Sequence, residues 1–153
     1  MFQKSLLESQ HNKHHARSAR QSKERKKIMN ENEISKIVVL TAIELHKSLG
    51  PGLLESVYEN ALAFDLRVEG LSVEQQVPMP LVYKNNKFEV GYRLDILVNK
   101  KVILELKAVE TLLPVHYAQL LTYLKLSELK LGLLINFNQK LLKDGIHRIV
   151  NNL

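Results

Sequence analysis

The sequence contains no cysteine, so disulfide bonds, thiolate metal sites and cysteine nucleophiles are excluded. No apolar run approaches the ~20 residues that a membrane-spanning helix needs, and residues 1–13 are too polar for a secretory signal. We therefore expect a cytoplasmic protein without a membrane partner. No glycine-rich phosphate loop is present, and no Ser-His-Asp spacing supports a nucleophilic triad.

What the chain does contain is the balance of an ordinary globular protein: 153 residues, 45% of them apolar and 25% charged. This length accommodates one domain with a tail and leaves no room for two full-sized domains. The net charge of +6 is unevenly placed, because residues 1–30 hold eight basic and two acidic residues, whereas residues 31–153 hold fourteen of each. The folded part is neutral, so its overall charge does not argue for nucleic-acid binding.

The basic excess defines a predicted tail. Residues 1–29 have few apolar positions and no periodicity, so we expect a disordered basic tail there and a folded domain over residues 30–153. Met29 stands just before the first predicted helix. A second interpretation is therefore that translation starts at Met29 and that residues 1–28 are not native sequence.

The periodicity of the folded part predicts two helices, three strands, a further helix and a strand. Asn30 and Glu33 have the spacing of a capping box at the start of the first helix. In the second helix, Leu54 and Val57 are among the residues expected to face the core. The predicted helices begin near residues 31, 53 and 114, and the predicted strands cover residues 72–83, 88–98, 102–109 and 131–137, with a further candidate at 146–150. This order, αβββαβ after an extra N-terminal helix, indicates an α/β fold with a mixed sheet.

The second and third strands form a hairpin whose residues alternate strictly. Even positions from Leu94 to Val98 and from Val102 to Ala108 are all apolar, which predicts one apolar face. Pairing Val98 with Val102 makes the apolar faces coincide. The same register would place Asp95 opposite Glu105.

Two opposed carboxylates at ~5 Å repel each other by roughly 3 kcal/mol, so the sequence requires something to relieve this repulsion. A shared proton, nearby Arg93 and Lys107, or a divalent cation would each do so. The cation would make a catalytic metal site. The alternative is a purely structural ladder of ion pairs, from Asp95 to Lys107 and from Glu105 to Arg93, on a solvated face of the sheet.

The residues Asp95 and Glu105-Leu106-Lys107, in an αβββαβ order, resemble the PD-(D/E)xK nuclease superfamily. Gly52-Leu-Leu-Glu55-Ser-Val-Tyr58 is similar to the signature of the GxxExxY family, a bacterial branch of that superfamily. The resemblance implies a restriction-endonuclease-like core and a metal-dependent endo- or exodeoxyribonuclease that hydrolyses DNA with metal-activated water. Leu94 replaces the proline of the motif.

Transferred residue by residue, the resemblance implies that Asp95, Glu105 and the backbone carbonyl of Leu106 ligate Mg²⁺ or Mn²⁺. It further implies that Glu55 completes the metal shell, either directly or through water. Lys107 would act on the attacking water and the phosphate. Supporting roles are implied for Tyr58, Gln119 and Tyr123. On the last helix, His116 lies on the same face as Gln119 and Tyr123. This face either points toward the site or is only the polar side of the helix.

Two other function classes stay open at this stage. A non-catalytic module could keep the nuclease-like fold and bind nucleic acid or a protein partner, which the neutral charge of the folded part favours slightly. A homo-oligomer could form through the long apolar first helix.

Overall fold

The computed structural model describes residues 29–153. The predicted tail lies outside these residues except for Met29, and so does the question of the start codon. Within the part of the chain that is described, no helix is long and apolar enough to cross a membrane.

The elements follow the predicted order, with small shifts at their ends. The helices are α1 (Glu31–Leu49), α2 (Glu55–Val68) and α3 (Pro114–Ser127), and the strands are β1 (Val73–Tyr83), β2 (Asn86–Val98), β3 (Val102–Lys107), β4 (Leu131–Asn136) and β5 (Ile146–Val150). The capping box at the start of α1 is confirmed, because Glu33 N–H donates to Asn30 Oδ1 and Asn30 N–H donates to Glu33 Oε2, each at 2.9 Å. A short 3₁₀ helix, Leu142–Gly145, was not predicted.

All five strands form one mixed sheet in the order β1-β2-β3-β4-β5. Only β3 and β4 are parallel, and α3 forms the crossover between them. The predicted pairing of Val98 with Val102 is confirmed. β4 is buried along its whole length, as expected for a central strand covered on both faces.

Helices cover both faces of the sheet, which gives three layers. On one face, α1 and α2 pack against the even-numbered side chains of β2 and β3, around Ile96, Leu104 and Leu106. On the other face, α3 packs against Ile103 and Leu134. This second face was predicted to carry the charged residues, and the alternative of a structural ion-pair ladder required it to be open to solvent. In the structure, α3 covers much of this face.

Two predictions of side-chain direction are wrong. Leu94 packs on the α3 face and not with Ile96, because β1 and β2 change faces near Gln76, whose φ is +51°, and that residue has no pairing partner in β2. Leu54 and Val57 are exposed, because α2 begins at Glu55 and turns a different face to the core.

Candidate active site

The pairing of β2 with β3 ends at Ile96–Leu104, just before the predicted acidic pair. Beyond that point, the Asp95 carboxylate accepts a hydrogen bond from the backbone amide of Leu106, with an N···O distance of 2.8 Å. A side chain therefore takes the place of a backbone partner, and Asp95 and Glu105 do not form the expected backbone pair. In a strand, the N–H and C=O of one residue point to the same side, so the Leu106 carbonyl also points toward Asp95.

Glu105 lies beneath α3 with only 6% of its surface exposed. Its Oε1 atom is buried and receives no hydrogen bond. Burial, with a smaller contribution from the neighbouring Asp95 carboxylate, raises the pKa of Glu105 to about 8. The pKa of Asp95 is also raised by burial, an effect that the Leu106 amide opposes. Without a cation, burial and the neighbouring carboxylate both favour the protonated form of Glu105.

The alternative prediction of a structural ladder of ion pairs is wrong. Among residues 29–153, the ion pairs are Lys47–Glu44 and Lys87–Glu89, and neither Lys107 nor Arg93 forms one. Arg93 is exposed, and Lys107 is half-buried at the end of β3. Lys107 lowers the pKa of both acidic residues, which places its charge near them without direct pairing.

Helix α2 adds two further carboxylates to this region, Glu55 and Glu59. Glu55 is exposed, and loss of hydration raises its pKa, while nearby Lys107 lowers it and Asp95 raises it. In residues 29–153, no three acidic or histidine side chains come close enough to hold a metal ion together. Glu55 thus lies within electrostatic range of Asp95 but does not join it in a three-carboxylate cluster.

Glu59 is the residue near this region that the sequence argument missed. It raises the pKa of Asp95, and its carboxylate accepts hydrogen bonds from the side-chain amides of Gln75, at 3.0 Å, and Gln76. Gln76 is the residue with positive φ at which the hairpin changes faces. The available signal was the spacing of Glu55 and Glu59, since residues four apart lie on one side of a helix.

Helix α3 places Tyr123 near the acidic pair, and the side chain of Gln119 contacts that of Tyr123. Tyr123 is 4% exposed, and burial raises its pKa to about 12, with a further contribution from Glu105. Its ring meets that of Tyr92 edge-on, with a centroid distance of 5.5 Å. His116 instead lies at the start of the helix, where its Nδ1 accepts a hydrogen bond from the backbone amide of Leu113 at 3.0 Å.

Tyr58 lies in the core and not with the acidic residues. Its ring stacks on Phe137 at a centroid distance of 4.5 Å. Its hydroxyl donates to the Gly50 carbonyl and accepts the Leu53 amide at 3.2 Å. These bonds close the turn between α1 and α2, so Tyr58 fixes the entry of the helix that bears Glu55.

The end of β3, where Lys107 lies, is held by the last residue of β4 and the residue after it. The amide of Phe137 donates to the Lys107 carbonyl at 2.8 Å. The fully buried Asn136 binds both backbone groups of Val109, through Oδ1 at 3.1 Å and Nδ2 at 2.8 Å. These contacts fix the backbone on which the Lys107 side chain stands.

The donors at this end of the hairpin suit a hard divalent cation. Such ions prefer carboxylate and carbonyl oxygens, which Asp95, Glu105 and Leu106 supply. The buried Oε1 of Glu105, which no protein donor reaches, is the observation that fits a cation best, because a buried carboxylate oxygen without a partner is costly.

Comparison with known proteins identifies the family to which the chain belongs. A family model described as the PD-(D/E)XK nuclease superfamily matches residues 32–149, which covers most of the chain. Searches of curated proteins and of solved structures give no significant match.

Proposed function

Because the chain belongs to the PD-(D/E)XK nuclease superfamily, we propose that it hydrolyses phosphodiester bonds in DNA and depends on Mg²⁺ or Mn²⁺. Within the superfamily we assign it to the GxxExxY branch, on Gly52, Glu55 and Tyr58. The observation that carries the proposal is the buried, unpartnered carboxylate oxygen of Glu105 beside Asp95.

In this proposal, Asp95, Glu105 and the Leu106 carbonyl would hold the cation, and Glu55 would reach it through water. When bound, a divalent cation lowers the pKa of a water molecule and neutralises charge on the phosphate. Because a carboxyl must lose its proton to ligate a metal, and because the pKa of Glu105 is raised, cation binding would strengthen as pH rises.

The protein's own residues have distinct roles around the phosphate. Lys107 has no ion-pair partner in residues 29–153, so its ammonium is free to stabilise the developing negative charge and to orient the attacking water. Tyr123 keeps its proton, since its pKa is about 12, and so it acts as a hydrogen-bond donor and not as a base.

The direct test is divalent-cation-dependent cleavage of single-stranded and duplex DNA by the full chain. We expect Asp95→Asn to abolish cleavage and Lys107→Met to reduce it strongly. Lys36→Met, at an exposed position on α1, should leave it unchanged. Equal cleavage by all four proteins would refute the assignment.

A titration calorimetry experiment distinguishes the enzyme from a non-catalytic module with the same fold. The enzyme requires Mg²⁺ or Mn²⁺ binding that Glu105→Gln removes. DNA binding without any cation binding that depends on Glu105 would instead identify a binding module.

A further inference from the structure

A groove of ≈ 490 Å³ opens between the end of α1, the turn after it and the segment that contains the 3₁₀ helix. His46 and Lys47 line it from α1, Gly50 from the turn, and Lys140, Leu142 and Lys143 from the opposite side. No function described above uses this groove.

The charge of the groove is positive. Three lysines line it and no carboxylate does. Lys47 is compensated by Glu44, with an N···O distance of 3.0 Å, whereas Lys140 and Lys143 form no ion pair in the described part of the chain. Both are exposed, so their ammonium groups are available to an anion. This local excess stands out in a folded domain whose basic and acidic residues are equal in number.

The groove is linked to the end of β3 through two hydrogen bonds on one residue. Phe137 accepts a bond from His46 Nε2 at 3.0 Å, and its amide donates to the Lys107 carbonyl at 2.8 Å. Phe137 therefore binds both the groove wall and the backbone that bears Lys107. The intervening turn is open, because a side-chain carbon at Gly50 or Gly52 would meet nothing within 4 Å.

We propose that this groove binds the phosphodiester backbone of DNA beside the bond that is cleaved, with Lys140 and Lys143 as its phosphate contacts. The inference rests on the proposed function, because it names a subsite for the same substrate. Phosphates are the anions that a strand of DNA presents in series, and each neutralised phosphate contributes to affinity through the release of counterions.

The test compares two doubly substituted full-length proteins in EDTA, where no cleavage occurs. Lys140→Gln/Lys143→Gln removes the groove cations, and Lys36→Gln/Lys125→Gln removes two exposed lysines from other surfaces. Fluorescence anisotropy with a labelled 20-base-pair duplex gives Kd at several salt concentrations. We expect the groove variant to bind about tenfold more weakly at low salt and to lose about 1.8 from the slope of log K against log salt, which corresponds to two phosphate contacts.

Unchanged affinity and slope in the groove variant, or losses equal to those of the control variant, would overturn the proposal, as would a wild-type protein that does not bind the duplex. Thermal melting checks that both variants are folded. The outcome is separable from that of the proposed function, because a groove that binds DNA in EDTA is established even if no cleavage follows with Mg²⁺. Conversely, cleavage with unchanged binding by the groove variant rejects only the subsite.

Discussion

The Asp95 carboxylate lies 2.8 Å from the backbone amide of Leu106, on the next strand, and accepts its hydrogen bond. This hydrogen bond lies where the pairing of β2 with β3 ends, and it holds the Asp95 carboxylate close enough to Glu105 for each to affect the pKa of the other. A residue that replaces Asp95 must therefore satisfy a structural role in addition to any chemical one.

This double role predicts different outcomes for two substitutions of Asp95. Asp95→Asn keeps an oxygen that can accept the Leu106 amide, so we expect stability close to that of the wild type but no cation binding. Asp95→Ala leaves that amide without its partner, which costs about 1–3 kcal/mol. Urea unfolding and calorimetric Mg²⁺ titration measure the two effects separately. Equal stability of the two variants would show that the hydrogen bond contributes nothing.

The raised pKa of Glu105 predicts that stability depends on pH. The residue has a pKa of about 8 in the folded protein against 4.5 as the ordinary value, so the folded state binds this proton more tightly than the unfolded state does. Its contribution to stability is complete below pH 4.5 and is lost as pH rises toward 8. Asp95, whose pKa is also raised, acts in the same direction.

Melting temperatures at pH 6 and pH 9 without divalent cations measure this dependence. We expect the wild type to lose stability between them, by about 4 °C in Tm for each 1 kcal/mol, and Glu105→Gln to lose much less. Glu74→Gln, at an exposed position on β1, should behave as the wild type. If all three proteins lost the same amount of stability, the pH dependence would come from a residue other than Glu105.

Substitution of Lys107 should reduce activity without unfolding the protein. Because it forms no ion pair among residues 29–153, Lys107→Met breaks no ion pair there and should leave the melting temperature nearly unchanged. Loss of its charge should reduce kcat by about 10² or more while Mg²⁺ binding persists. Single-turnover cleavage rates with saturating DNA give the measurement. A large rise in KM with an unchanged kcat would instead assign Lys107 to substrate binding.

Substitution of Tyr58 should have the opposite effect and reduce stability more than activity. Tyr58→Phe keeps the ring on Phe137 but removes the two hydrogen bonds that close the turn at Gly50 and Leu53. We expect a loss of about 1–2 kcal/mol in the free energy of unfolding, measured by urea titration. Cleavage per folded molecule should fall far less than in Lys107→Met. If Tyr58→Phe were as stable as the wild type but inactive, the hydroxyl of Tyr58 would instead take part in the reaction.

The sequence was sufficient for the order of the elements because local signals were consistent with one another. The capping box at Asn30, the proline at the start of α3 and the alternation around Val98 and Val102 each depend on neighbours in the chain. These signals led to the mixed sheet and to the hairpin register. They did not depend on how distant segments pack.

What could not be predicted depends on contacts between distant segments. Burial of Glu105 needs α3 to cross the sheet, and the wrong face assigned to Leu94 follows from the positive φ of Gln76 on another strand. Alternation within β2 carries no information about either. The role of Tyr58 was also hidden, since its spacing from Glu55 predicts a shared helix and not that one residue lies in the core.

The short span between Asp95 and Leu106, eleven positions apart, has a consequence for how the protein folds. The hairpin that unites the two acidic side chains closes a small loop, so its entropic cost is low, whereas the parallel pairing of β3 with β4 must wait for the crossover through α3. Because α3 packs over the face of the sheet that carries Glu105, the side chain of Glu105 should stay hydrated until that helix docks. We therefore expect divalent ions to accelerate the docking of α3 and to leave the rate of hairpin closure unchanged.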